Sequence, residues 1–227
     1  MLSGLLSAVS HAEEIRLITF YSPPLVNHEA SANNGDTYHM VTQMFERAGV
    51  GFVINHSPEA RAMKSARRVE NVCSFPVARS QLVEANFNWV GPIAISQYAL
   101  YQKQPNQPQL LSLQDASPLK IVAYEGYRIA KQLKEQGFNI VMTEEIDDGL
   151  QMLRRDGIDL WLSDTRTAQA LSEDLGITVA NQPFIFLTDI KYLACNKEIP
   201  PSKIAKLQQQ INSMIKAGEL VLIPRDN

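Results

Sequence analysis

The chain carries few side chains suited to chemistry, and their spacing excludes more than it allows. Its four histidines, His11, His28, His39 and His56, lie in the first half of the 227 residues, and no two are four residues apart. His28 and His39 stand near Glu29 and Asp36, so a metal site is conceivable, but four ligands at zinc geometry are not evident and solvated loop histidines explain them better. Cys73 and Cys195 are too few for a disulfide framework or a four-cysteine zinc site. They could pair in an oxidising compartment, yet sequence alone does not bring them within bonding distance, and two buried free thiols are the favoured reading. No G-x-G-x-x-G, no G-x-x-x-x-G-K-[ST] phosphate loop and no G-x-S-x-G elbow occurs. Dinucleotide, phosphate-loop and serine-hydrolase chemistry thus lack their basic parts, which favours binding over catalysis. No cofactor and no metal are expected.

The residues that could grip a ligand sit where strands give way to helices. Gly126-Tyr127-Arg128 joins a strand-like run to a helix-like one, so its backbone N–H groups could receive an anion, with Arg128 as plain surface the competing reading. Phe20 and Tyr21 end the first strand, where an open α/β sheet places its ligands, though one of the two must face the core. Glu59 begins a helix; it could select a cationic group or simply complement the helix dipole. Asp164 sits at the expected N-cap of another helix. Arg61, Lys64, Arg67 and Arg68 make a basic helix face of the kind that is usually just solvated.

Elements of the right kind exist to hold these residues. Ile15–Tyr21 is a short β-rich run stopped by Ser22-Pro23-Pro24. Asp36 or Thr37 can cap a helix with Met40, Val41, Met44, Phe45 and Ala48 on one face, closed by Gly49. Strand 51–54, a basic helix from Pro58 to Arg68 and strand 72–77 complete a β-α-β-α-β series, the pattern of a mostly parallel sheet. The polar, Pro-rich stretch 102–109 is the best connector. A second series follows: strand 120–124, helix 128–136, strand 139–142, helix 145–155, strand 158–162 and helix 165–173. Leu187–Cys195 reads as a returning strand, and Pro200-Pro201 opens a long helix to Ala217.

Composition sets the class. With 45% apolar and 20% charged residues and a net charge of −3, the chain can build real cores but lacks the basic footprint of a nucleic-acid binder. No apolar run reaches the ~18 residues that a membrane span needs. Residues 1–12, MLSGLLSAVSHA, resemble the tail of a secretory signal peptide whose start looks truncated, since no Lys or Arg precedes Arg16. A periplasmic location is expected.

The stretch Cys73–Ile93, CSFPVARSQLVEANFNWVGPI, resembles the first-lobe signature of the extracytoplasmic solute-binding proteins of the amino-acid-binding, type II periplasmic class, family 3. Phe75-Pro76-Val77-Ala78-Arg79-Ser80 and Phe87-Asn88-Trp89-Val90-Gly91-Pro92 carry it. Pro23-Pro24, Pro58–Met63, Val122–Gly126, Asp156–Asp164 and Tyr192–Lys197 resemble further family blocks in the same order, from residue 15 to 217.

The resemblance implies two α/β lobes of mostly parallel sheets flanked by helices, the first lobe discontinuous. Residues 13–95 and 189–227 would form lobe one and 96–188 lobe two, with hinge strands near 92–97 and 187–191. It implies a small polar or amino-acid-like ligand clamped between the lobes by hinge closure. The ligand would be delivered to an ABC-type membrane permease or a sensor by a non-enzymatic, monomeric protein that binds no nucleic acid. Asp164 matches the residue that accepts bonds from the ligand's ammonium, and Arg79 and Ala78 lie in the matched loop; Tyr21, Glu59, Gly126 and Tyr127 complete the candidate contacts. Two usual contacts are changed: the Arg that forks onto the ligand's carboxylate falls on Val83, and a stacking aromatic falls on Glu59. Two rivals stay open, the first because the fold hosts a few dehydratases and the second because of those departures. One is a dehydratase-like enzyme using Glu59, Asp164 or His56. The other is a sensory module without tight ligand binding.

Overall fold

The computed structural model describes residues 14–22, 24–27, 35–103, 109–155, 157–179, 183–220 and 222. The leader-like segment 1–12, with His11, and also His28 and the middle of the 102–109 connector, lie outside the described residues. Two compact units emerge: the first holds the described residues of 1–21, 25–93 and 191–227, the second those of 22–24 and 94–190.

The first unit contains β1 (Ile15–Thr19), α1 (Asp36–Ala48), β2 (Phe52–His56), α2 (Glu59–Arg68), β3 (Val72–Ala78) and α6 (Pro201–Lys216). It also holds the start of β4 (Asn88–Gln102) and the end of β8 (Phe184–Cys195). Its strands lie in the order β2-β1-β3-β8. β1 pairs in parallel with β2 and β3, as the βαβαβ reading expects, while β8 returns antiparallel to β3. Ile15, Leu17 and Ile18 bury almost completely because a strand between two neighbours is covered on both faces. Met40, Val41, Met44 and Phe45 of α1 form one core with Leu207, Ile211 and Met214 of α6. A second layer joins Ile18, Phe20, Val77 and Phe87 to Ala62 and Ala66 of α2. Helix α1 is not capped by Asp36 or Thr37: the N-cap is Gly35 at φ 92°, with no side-chain cap. Only glycine fits there, since a Cβ would stand 2.6 Å from the Leu25 carbonyl oxygen.

The cysteines are not free thiols. Cys73 of β3 and Cys195 of β8 face each other in the antiparallel register, Cα atoms 4.0 Å apart, and are joined by a disulfide across 122 positions of sequence. Both are fully buried. The free-thiol expectation failed because sequence separation carries no information on sheet register.

The second unit contains β5 (Ile121–Tyr124), α3 (Arg128–Glu135), β6 (Ile140–Thr143), α4 (Asp148–Leu153), β7 (Leu160–Asp164) and α5 (Thr165–Leu175), with the rest of β4 and β8. Its strands run β4-β7-β5-β6. β5 is parallel to β6 and β7, and β4 is antiparallel to β7. α4 is shorter than the 145–155 helix expected, because residues 144–147 bend and the Thr143 hydroxyl donates to the Glu145 carbonyl at 2.9 Å. β7 begins at Leu160 rather than Ile158; Asp159 turns aside, its carboxylate accepting the Lys120 N–H at 2.8 Å.

The 15-residue β4 contains the hinge strand expected near 92–97 but runs further at both ends, passing through Gly91-Pro92. Gln208 of α6 repairs the interruption. Its carbonyl oxygen accepts the Gly91 N–H at 3.0 Å and its amide donates to the Gly91 carbonyl at 2.9 Å.

A bond that closes so long a loop restricts the unfolded chain strongly, and losing it costs about 2–5 kcal/mol. Replacing both cysteines, Cys73→Ala with Cys195→Ala, lowers the melting temperature by roughly 10 °C for a chain of this size. Calorimetry of both proteins checks this, and wild type in strong reductant moves toward the double variant.

Candidate functional site

In the second unit the candidate residues gather at the carboxyl ends of parallel strands. Asp164 ends β7 and is also the N-cap of α5, with φ −68° and ψ 141°. Its Oδ1 accepts the N–H of Arg166 at 3.0 Å and of Thr167 at 3.4 Å. Ser96 of β4 adds a side-chain hydrogen bond. At 2% exposure, burial raises the Asp164 pKa; the helix N–H bonds, the Arg166 charge and Ser96 pull the other way and only partly offset it. The N-cap reading is therefore realised, on a carboxylate that has given up its water.

Tyrosines wall this carboxylate. Tyr98 lies opposite Asp164 in the β4–β7 register. Its ring meets Tyr127 edge-on at 5.3 Å, and Tyr127 meets Tyr124 edge-on at 5.5 Å. The Tyr127 hydroxyl donates to Thr167 Oγ1 at 3.3 Å and accepts the Asp164 N–H at 3.5 Å. Burial, reinforced by the Asp164 charge, pushes the Tyr127 phenol well above its ordinary pKa; Tyr98 is raised mainly by burial too. Both remain neutral at physiological pH and serve as hydrogen-bonding apolar walls.

Gly126 is exposed, and any Cβ there would overlap the Tyr124 ring, so the turn admits no side chain. The Tyr127 N–H is spent on the Tyr124 carbonyl at 3.1 Å. Arg128 faces Asp189 at 3.6 Å.

The candidates of the first unit are more scattered. Phe20 is in the core and Tyr21 is half-buried, which settles which of the pair faces inward. Glu59 is exposed in the first turn of α2. His56 ends β2 stacked against Tyr38, ring centroids 6.1 Å apart. Ala78 ends β3 opposite Lys191 of β8, a lysine only 8% exposed. Arg79, next in sequence, pairs with Glu84: Nε to Oε2 at 2.7 Å and Nη2 to Oε1 at 2.5 Å. Val83 is not polar-facing; it packs against the layer of Ile18, Phe20 and Phe87.

Several of these partners escaped the sequence reading. Ser96 and Tyr98 are visible only once β4 is known to run beside β7, and Thr167 meets Tyr127 because β5 runs beside β7. Lys191 and Tyr192 were legible as strand residues but not as neighbours of Ala78 and Arg79. Among the described residues, no three of His, Cys, Asp and Glu gather as a metal site, and no helix is long and apolar enough to cross a membrane.

Comparison with known proteins gives the fold a class. No family model matches the chain, and no curated protein does. Solved structures do. A histidine kinase sensor domain with similarity to periplasmic binding proteins superposes with a TM-score of 0.69 at 15% identity, covering 91% of this chain and 92% of its own. An amino-acid ABC transporter substrate-binding protein from Streptococcus pneumoniae, bound to L-arginine, gives 0.69 at 15% identity over 91% of each chain. An ancestral amino-acid-binding protein that is a precursor of cyclohexadienyl dehydratase gives 0.67 at 15% identity, over 90% of this chain and 91% of its own. The fold is that of the type II periplasmic binding proteins. At these identities the likeness concerns architecture.

Asp164 supplies a test of its own. Its pKa is higher folded than unfolded, so its contribution to stability is complete below the ordinary aspartate range and is lost as pH rises through the raised value. Asp164→Asn keeps a capping side chain and abolishes that slope, making the protein less pH-dependent from the ordinary aspartate range upward. Asp164→Ala loses the cap and costs about 1 kcal/mol or more at every pH. Urea unfolding across that range checks both.

Proposed function

We propose that the chain is a solute-binding protein that captures a small polar or amino-acid-like molecule outside the cytoplasm and presents it to a membrane transporter or a sensor. The observation that carries this reading is the desolvated carboxylate of Asp164 at a strand–helix junction, walled by neutral tyrosines. It lies at the carboxyl end of β7, where open α/β sheets bind ligands. A buried carboxylate of this kind suits an ammonium or amide donor. Gly126 and Tyr127 beside it are the further contacts proposed in this unit; in the first unit the proposed contacts are Tyr21 and Ala78 at strand ends and Glu59 in the first turn of α2. Solved proteins of this fold include one bound to L-arginine and one in complex with L-glutamate, which supports an amino-acid-like ligand.

The disulfide supports an oxidising compartment and hence a periplasmic location, because such bonds persist outside the reducing cytosol. Binding without turnover is the preferred reading. The sensor alternative draws on the likeness to a histidine kinase sensor domain.

A thermal-shift screen against amino acids, polyamines and small organic acids tests this. A ligand that binds only the folded chain raises its melting temperature, and by about 2.7 kcal/mol of stability at a hundredfold excess over Kd. The expected result is a rise confined to one chemical class. Asp164→Asn then weakens an amine-bearing hit at least tenfold, the scale of a lost charged hydrogen bond. No shift with any class would sink the binding reading, and an unchanged affinity in Asp164→Asn would remove Asp164 from it.

A further inference from the structure

Arg79 follows the carboxyl end of β3, a place where open α/β sheets present ligand contacts, and its guanidinium is already engaged. Nε and Nη2 each donate to one oxygen of Glu84, at 2.7 Å and 2.5 Å, a two-point fork on a carboxylate five residues away. The guanidinium carbon lies 5.6 Å from the Trp89 ring centroid and 5.2 Å from that of Tyr192. Trp89 Nε1 donates to the Glu84 carbonyl at 3.0 Å, so the ring that stacks on the arginine also holds the turn carrying its partner. Hydrogen bonding between the two raises the Arg79 pKa and lowers that of Glu84, favouring the ionised pair. Both side chains are partly exposed, 39% and 47%, so solutes can reach them.

A stacked guanidinium forked onto a carboxylate is the arrangement by which arginine grips carboxylate ligands. In this loop the chain supplies the carboxylate itself. Val83 next door is packed onto apolar neighbours and offers no second cation.

We infer that Glu84 is a tethered carboxylate that fills the Arg79 fork and excludes carboxylate-bearing small molecules from the first unit, making Glu84 a specificity-determining residue. This rests on the binding reading above and narrows it from amino-acid-like ligands to small polar amines and amides that carry no free carboxylate. A tethered competitor acts at an effective concentration of about millimolar or above, so dilute free carboxylates do not displace it.

The test is isothermal titration of the whole chain, wild type and Glu84→Gln, with succinate, L-glutamate, L-glutamine and putrescine. Glu84→Asp, whose shorter side chain loses the two-point fork, is a second variant. Expected is a gain of at least tenfold in succinate and L-glutamate affinity in Glu84→Gln, a smaller gain in Glu84→Asp, and none for putrescine. The gain disappears in Glu84→Gln with Arg79→Gln. Equal affinities for the dicarboxylates in wild type and Glu84→Gln overturn the inference, as does a gain that survives loss of Arg79. Binding of L-glutamine by wild type, or binding of putrescine by wild type while Glu84→Gln gains nothing, overturns the inference alone. If neither protein binds any of the four, the binding reading fails with it.

Discussion

The antiparallel seating of β8 on β3 closes the first unit, and much of that unit depends on it. The chain leaves this unit near Ile93 and returns at Lys191. β8 brings Leu193 and Cys195 into the core that α1 and α6 share, and leads the chain back to α6. The pairing is fixed by several interactions at once. Cys73 and Cys195 are covalently joined, and the Asn196 N–H donates to the Val72 carbonyl at 2.9 Å. The buried Asn196 amide donates to the carbonyls of Ala66 and Arg67 at 3.1 and 3.3 Å. Those carbonyls sit in the last turn of α2, where the helix has no N–H donors of its own to satisfy them. One segment thereby secures β3, α2 and α6 together.

What the sequence revealed follows from which interactions are local. Apolar periodicity and glycine stops located α1, α3, α5 and α6 to within a few residues, since each depends on side chains within a turn or two. The β-α-β-α-β reading gave the parallel sense of β1, β2 and β3, because a helix between two strands returns the chain in the same direction, but not their order. Long-range pairing was another matter. The length of β4 through Gly91-Pro92 rests on Gln208, more than a hundred positions away, which takes the Gly91 N–H and carbonyl. The disulfide was misread for the same reason. So was the start of α1, where the space beside Leu25 selects Gly35 over a capping side chain.

The site shows the same division. Asp164 was legible as an N-cap and as a candidate contact because both roles need only a strand followed by a helix. Its desolvation was not, since that comes from Tyr98, Tyr127 and Ser96, brought beside it by β4 and α3. Two carboxylates of one chain thus behave oppositely. Burial favours the neutral form of Asp164, while the Arg79 hydrogen bond favours the ionised form of the exposed Glu84. Charge counts alone cannot separate them.

The loop from Arg79 to Trp89 shows how a change of residue type alters a surface without leaving it bare. An apolar Val83 there joins the layer of Ile18, Phe20 and Phe87, so that position now contributes to packing. The guanidinium four residues earlier is balanced by Glu84, and at physiological ionic strength the field of such an exposed pair is largely screened beyond about 8 Å. Trp89 and Tyr192 flank the guanidinium and restrict its rotation. An approaching anion meets a neutral, ordered pair, and must break two short hydrogen bonds before it gains any. An approaching cation or neutral donor has no such obstacle. The selectivity of this strand end is therefore set by which side chain reaches the fork first, a property of the loop's geometry and not of its net charge.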